Sequence, residues 1–370
     1  MLFDRRDLDL LRLAGAYQWL PYESLPPSGL ADGLRREAEL LARLGLVTIS
    51  KSRRYFMLSP QGYELLSSYG YACSPGAKRP YAGSVTLRRR LEAGAILLTC
   101  LAAGIAPAGQ VDDLSGEPTF LPAFLLRSGV GNLMNAASCA GFGHWGGTAY
   151  LIQYVGEESR GLYLANELSH LHKLSSVFDR RLTAPTAMLL AGQSYEEIYR
   201  LLTDRKPSPR HGKQGFVDYW AAYDRVDLPV HLLACNDAGA MQLSVMAQPD
   251  HRVRIARAAF GGRWTAVDDA IPGADGHVEG SPLVIAIDMD LRRIRRVCEA
   301  AAQQERPEVM VAALDAQMKG LLLSVLSREV NVRALRIGPQ VLEAAFGKGF
   351  SLTQPDPNPA AGPEGALLYV

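Results

Sequence analysis

Two carboxylates, Asp288 and Asp290, follow directly on the apolar run Leu283–Ile287 and precede Arg292, Arg293 and Arg296. Carboxylates at the C-terminal end of a parallel strand face the crevice where ligands sit. Such a pair can share Mg²⁺ while neighbouring guanidiniums hold phosphate, the chemistry of phosphoryl transfer. The competing reading is structural: Asp290 caps a helix starting at Leu291, Asp288 closes the turn, and the arginines pair with both. On that reading, exchanging both for Asn costs only about a few tenths of a kcal/mol. No Thr follows Asp290 as an Asp-x-Asp-x-Thr motif requires, and the structural reading is preferred.

Three further constellations invite chemistry and fail on context. Gly141-Phe142-Gly143-His144-Trp145-Gly146 spells G-x-G-x-x-G, but a dinucleotide site needs a strand before it and a helix after it. Here a strand follows, so a flexible glycine loop is expected. His170 and His172 are two apart on an expected helix and point to different faces, which is poor chelation geometry. Cys235-Asn236-Asp237 ends a strand, yet no histidine partner can be assigned, so a turn with an Asp cap is expected.

The clearest pattern is cationic and lies near the N-terminus. Arg35, Arg36 and Arg43 crowd one face of an expected helix whose other face carries Leu30, Leu34, Ala38, Leu41 and Leu44. Lys51, Arg53 and Arg54 sit at the tip of an expected hairpin just beyond it. A helix fits the major groove, arginine pairs bidentately with guanine, and a basic hairpin reaches phosphate. Glu37 and Glu39 on the same helix oppose this reading, and a merely solvated basic face is the alternative. Residues 1–90 carry fourteen Lys/Arg against eight Asp/Glu within a chain of net charge +1, so a polyanion would bind at the front.

The elements that must position these residues follow from periodicity. Asp7–Trp19 reads as an amphipathic helix closed by Pro21, Tyr22–Leu25 as a short second turn, and the stretch from Ser28 to Gly45 as a third helix. Ser28 or Asp32 caps that helix, and Gly45 ends it. Runs at Leu46–Ser50 and Arg54–Leu58 form the hairpin, and Ser59-Pro60 opens a last helix at Tyr63–Tyr69. Helix, turn, helix, basic hairpin and helix is the winged helix-turn-helix order. Residues 1–71 are that expected domain, 72–83 a linker, 84–352 an α/β body and 353–370 a loose Pro/Gly-rich tail. In the body, strands at Ala149–Val155, Ala187–Leu190, Pro229–Ala234, Leu283–Ile287, Val309–Ala313 and Val330–Ile337 alternate with helices. That alternation predicts a mainly parallel sheet. Helices are expected at Leu162–Phe178, Tyr195–Leu202, Ala238–Met246, Leu291–Gln304 and Asp315–Leu326.

Composition sets outer limits. A chain of 370 residues exceeds one ordinary core. The apolar run Ala93–Ala106 falls short of the roughly 20 residues that span a bilayer, so it reads as a buried helix and no membrane partner is expected. Five scattered cysteines without C-x-x-C spacing argue for reduced thiols, hence a cytoplasmic protein without structural zinc.

On these residues the front half resembles the winged-helix proteins of plasmid replication-relaxation type. The block GSPLVIAIDMDLRRIRRVCEAAAQQERPEVMVAALDAQ is similar to proteins of conjugative and mobilisable elements of Firmicutes. The resemblance implies a DNA-binding protein of a mobile genetic element, acting in replication, transfer or transcription, and does not imply an enzyme or a cofactor. Its implied partners are double-stranded DNA and, for the body, a second copy or another mobile-element protein. Bodies of that family can be built like a restriction-endonuclease core. Here no Pro-Asp followed by Glu-x-Lys occurs on one strand, so nuclease chemistry is not expected. The rivals are a Mg²⁺-dependent phosphoryl-transfer or nuclease-like enzyme centred on Asp288 and Asp290, and a winged helix used for protein contacts.

Overall fold

A computed structural model describes residues 5–71, 84–107, 117–124, 139–156, 185–203, 206–207, 216–217, 228–266, 271–305, 308–321, 331–348 and 350. His170, His172, the expected helix at Leu162–Phe178, the linker and the tail lie outside the described residues. The chain is a mixed α/β protein whose helices pack on several sheets.

At the front, α1 (Arg5–Tyr17), α2 (Gly29–Arg43) and α3 (Pro60–Ser68) surround a small antiparallel sheet of β1 (Leu20–Pro21), β2 (Val47–Ile49) and β3 (Tyr55–Leu58), in order β1-β3-β2. Helix α2 forms where Ala31, Leu34, Ala38 and Leu41 recur at helical spacing and bury one stripe. The Ser28 hydroxyl caps it by accepting from the Ala31 N–H, and Gly45 ends it at a φ of 75° that glycine adopts without strain. The helical turn expected at Tyr22–Leu25 is absent. The Tyr22 and Glu23 N–H groups instead donate to the Arg54 and Arg53 carbonyls, at 3.0 and 3.1 Å, so this segment prolongs β1 along the hairpin.

The body holds two mixed sheets where one mainly parallel sheet was expected. The first contains β4 (Ala106–Pro107), β5 (Thr119–Pro122), β6 (Gly141–Trp145), β7 (Thr148–Tyr154), β8 (Thr186–Gly192) and β11 (Val230–Ala234), in order β11-β8-β7-β6-β5-β4. Its β5-β6-β7 stretch is an antiparallel meander, while β7, β8 and β11 run parallel. Among the described residues, strands β9 (Lys206–Pro207) and β10 (Phe216–Val217) pair only with each other. The second sheet runs β12 (Trp264–Thr265), β13 (His277–Val278), β14 (Ser281–Ile285), β15 (Val309–Leu314) and β16 (Val332–Ile337), its last three strands parallel.

Helix α4 (Val85–Ala102) buries every residue from Ala93 to Cys100, as expected for the apolar run. No described helix is long and apolar enough to cross a membrane. The remaining helices are α5 (Tyr195–Thr203), α6 (Asp237–Met246), α7 (His251–Phe260), α8 (Leu291–Gln303), α9 (Asp315–Leu321) and α10 (Pro339–Phe346).

One apolar cluster runs unbroken from Leu11, Leu41 and Phe56 through Ile96 and Leu97 of α4 to Ile152, Leu189 and Leu243 of the first sheet and α6. A Cβ on Gly94 would stand 2.7 Å from the Pro21 ring, so the missing side chain lets α4 lie against β1. A second cluster joins Met188, Leu190 and Leu232 of the first sheet to Val284 and Val311 of the second, through Ile294 and Val297 of α8.

The G-x-G-x-x-G segment is strand β6 and its turn, which corrects the expected loop. Its glycines serve packing. A Cβ at Gly143 would collide with the Trp145 ring, and one at Gly141 with Leu121 O and the Phe120 ring. No helix follows, as β7 begins at Thr148.

Candidate functional site

The six cations expected at a nucleic-acid surface divide into two sets. Arg35 is half-buried and its donors are spent inside the unit: Nε on Tyr22 O at 3.2 Å, Nη2 on Leu25 O at 3.1 Å, Nη1 on Asp32 at 3.0 Å. It satisfies carbonyls of the bend that a second helix would have satisfied itself. Arg53, at the hairpin tip with a φ of 53°, pairs with Glu23 at 2.6 Å and Glu39 at 3.2 Å, and donates to the Tyr22 hydroxyl at 2.7 Å. Tyr22 and Arg53 hold the Glu39 carboxyl below its ordinary range. Arg53 therefore ties hairpin to helix and engages Glu39, one of the two acids that opposed polyanion binding.

Arg36, Arg43, Lys51 and Arg54 are exposed. Arg36 and Arg43 share an outward stripe of α2 with Asp32 and Leu40, the latter 46% exposed. Among the described residues, Arg36 donates only to the Asp32 carbonyl of its own helix. Lys51 makes no ion pair among the described residues.

The first turn of α2 is occupied. Gly29 N–H and Leu30 N–H donate to the two carboxylate oxygens of Asp237 at 2.8 and 2.9 Å. With Ser28 on the third N–H, the donors that make a helix N-terminus attractive to anions are filled. Asp237 was expected to cap its own helix. Asn236 does that instead, its side chain accepting from Ala238 and Gly239 N–H, which frees Asp237 to reach α2. Neighbouring Cys235 is buried and its thiol is pushed up to about 12 by burial, so it is no nucleophile at neutral pH. The other described cysteines, Cys100, Cys139 and Cys298, are likewise buried and in no disulfide among the described residues.

A second cluster gathers where the two sheets meet. Asp290 is the cap of α8, accepting from Arg293 N–H at 3.0 Å, as expected. Asp288 does more than close the turn. Its fully buried carboxylate pairs with Arg252 of α7 and lies 3.4 Å from Arg293 Nη2. These guanidiniums hold it far below the ordinary carboxylate range against the desolvation that opposes them. Arg293 also pairs with Asp275 at 2.7 Å and donates to Ile285 O at 2.6 Å. Between the carboxylates Met289 adopts a φ of 53°, and its carbonyl accepts from Leu232 N–H, joining the β14 side to β11. His231 of β11 places Nδ1 at 2.9 Å from Asp288 O. His251, the first residue of α7, is pushed down to about 4 by burial, so it is neutral at pH 7.

This donor set does not suit a divalent cation. Asp288 already takes two guanidiniums, whose charge repels a metal, and no group of three His, Cys, Asp or Glu among the described residues could hold one. Strands β6 and β7 carry no Asp, Glu or Lys.

Asp288, Asp290 and Arg293 were visible in the sequence as an acid–base cluster. Their partners His231, Arg252 and Asp275 were not. Each lies outside the Asp288–Arg296 segment, and no local pattern in the sequence tied it to that segment. Comparisons with protein-family models, with curated proteins and with solved structures give no match.

Proposed function

We propose that the chain is a double-stranded-DNA-binding protein whose N-terminal unit works as a winged helix, with α2 as the reading helix and the β2–β3 hairpin as the wing. The observation that carries this reading is the outward stripe of α2, where Arg36 and Arg43 stand exposed beside a hairpin that offers Lys51 and Arg54. An exposed Leu40 between the two arginines suits contact with base edges, where apolar groups meet thymine methyls. Because Asp237 fills the first turn, DNA would meet the middle and last turns of α2. Arg35 would support this surface from behind, and Arg53, exposed at the hairpin tip, would brace the wing through Glu23 and Glu39. The resemblance adds that the DNA belongs to a mobile genetic element and that the body engages a second copy or another element-encoded protein, in the cytoplasm.

The test uses the full chain and a fluorescent duplex, with affinity measured across a salt series. Binding that weakens with salt is expected, because each neutralised phosphate releases counterions. Replacing Lys51 with Ala should weaken all sequences equally and shallow the log–log salt slope by about one. Replacing Arg36 should cost about 1–3 kcal/mol on the preferred sequence alone if it reads a base edge. No salt-sensitive binding to any duplex at low ionic strength would overturn the reading in favour of protein contacts.

A further inference from the structure

A cavity of about 560 Å³ opens at the seam between the sheets, where β7, β8 and β11 begin and α8 starts. Its size falls within the range of small-ligand sites. We infer that it binds a small organic phosphate of mononucleotide size.

Three arginines line it, Arg252, Arg293 and Arg296. Arg293 is buried and spent on Asp275 and Ile285 O, whereas Arg252 is about a third exposed and, among the described residues, makes its hydrogen bond to Asp288 through Nη2, with Nη1 no nearer than 3.8 Å to Asp275. A phosphate oxygen is the acceptor that suits such a donor. Arg296, one turn after Arg293 on α8, is exposed and makes no ion pair among the described residues. The nearby carboxylates do not consume these donors. Asp288 and Asp275 are already compensated by backbone N–H groups and by other nitrogens of the same arginines.

The remaining wall fits the rest of a nucleotide. Asp290 lines the cavity and uses only Oδ1 for its helix cap, which leaves Oδ2 to accept from sugar hydroxyls. His231 faces the Asp288 carbonyl with Nδ1, and a carbonyl can only accept, so Nδ1 is the donor there and Nε2 is the ring atom left to meet a ligand. Tyr150, Pro185 and Pro229 at the strand starts and Pro272 of the loop before β13 give an apolar surface for a flat base. With Asp275, Asp288 and Asp290 set against three arginines the cluster is formally neutral. Recognition therefore rests on donor geometry, and a bare phosphate gains only part of it.

The experiment is calorimetric titration of the full chain with each of four ribonucleoside 5′-monophosphates, with inorganic phosphate and with adenosine. At least one monophosphate should bind, and both phosphate and adenosine should bind at least about tenfold more weakly, since each makes half of the contacts. Arg296→Ala should weaken that nucleotide by about tenfold or more, the loss of one charge-assisted pair. Its exposure lets the unliganded melting temperature stay unchanged. Absence of nucleotide binding, equal affinity for inorganic phosphate, or binding indifferent to Arg296→Ala overturns the inference. The outcome is independent of duplex binding by the N-terminal unit.

Discussion

Asp288 and Asp290 stand two positions apart and have opposite sensitivities. Asp290 is a cap, and Asn caps nearly as well, so Asp290→Asn should cost only about a few tenths of a kcal/mol. Asp288 is the buried counter-charge of Arg252 and Arg293. Removing one member of a buried pair leaves the other uncompensated, and Asp288→Asn should cost on the order of 3 kcal/mol. Asp275 still pairs with Arg293, which keeps the figure at the low end of that class. Urea unfolding of the two single variants separates them, and equal losses would refute the division of roles. The capping half of this pair was legible in the sequence, because a cap is a local event within three residues. The buried half was not, since Arg252 is 36 positions away in the chain and reaches Asp288 only through the packing of α7 on the second sheet. The partners of Arg35 and Arg53 escaped for the same reason. The type and position of the two arginines suited DNA, while their partners at Tyr22, Leu25 and Glu23 depend on a segment that declines to form a helix.

At the scale of the element, α2 was readable almost to the residue, from its apolar period, its serine cap and its terminal glycine. Strand β1 was not, because two residues carry no period and only pairing with β3 makes them a strand. Strand β7 was read, but its meander partner β6 escaped for a related reason: its glycines read as a loop until the Trp145 and Phe120 rings that fill their places are known. What no local pattern could supply is the bond between α2 and Asp237. A carboxylate on the first two N–H groups stabilises a helix through both hydrogen bonds and the favourable end of its dipole, typically by about 1 kcal/mol. Asp237→Ala should lower global stability by about that amount in chemical denaturation. It also removes a negative charge beside the proposed reading surface, so duplex affinity should rise severalfold at low salt. An affinity that falls instead would mean that DNA does not approach α2 from this side.

For the molecule as a whole, composition and alternation were enough for a mixed α/β body, but how the front unit joins it lay in small residues. Gly94 lets α4 close on Pro21, and the apolar cluster that begins at Leu11 continues without a break to Leu243. The front unit thus lacks a finished core of its own. If the chain is divided at residue 78 and the halves are produced together as separate polypeptides, they should recognise one another as the two parts of a split reporter do. Neither should be well folded alone, and the reconstituted pair should elute as one species on gel filtration. Halves that each fold and migrate separately would show that the shared cluster is dispensable. Inheritance faces the same constraint: a recombination event that exchanged the front unit between distant relatives would have to carry α4 along with it.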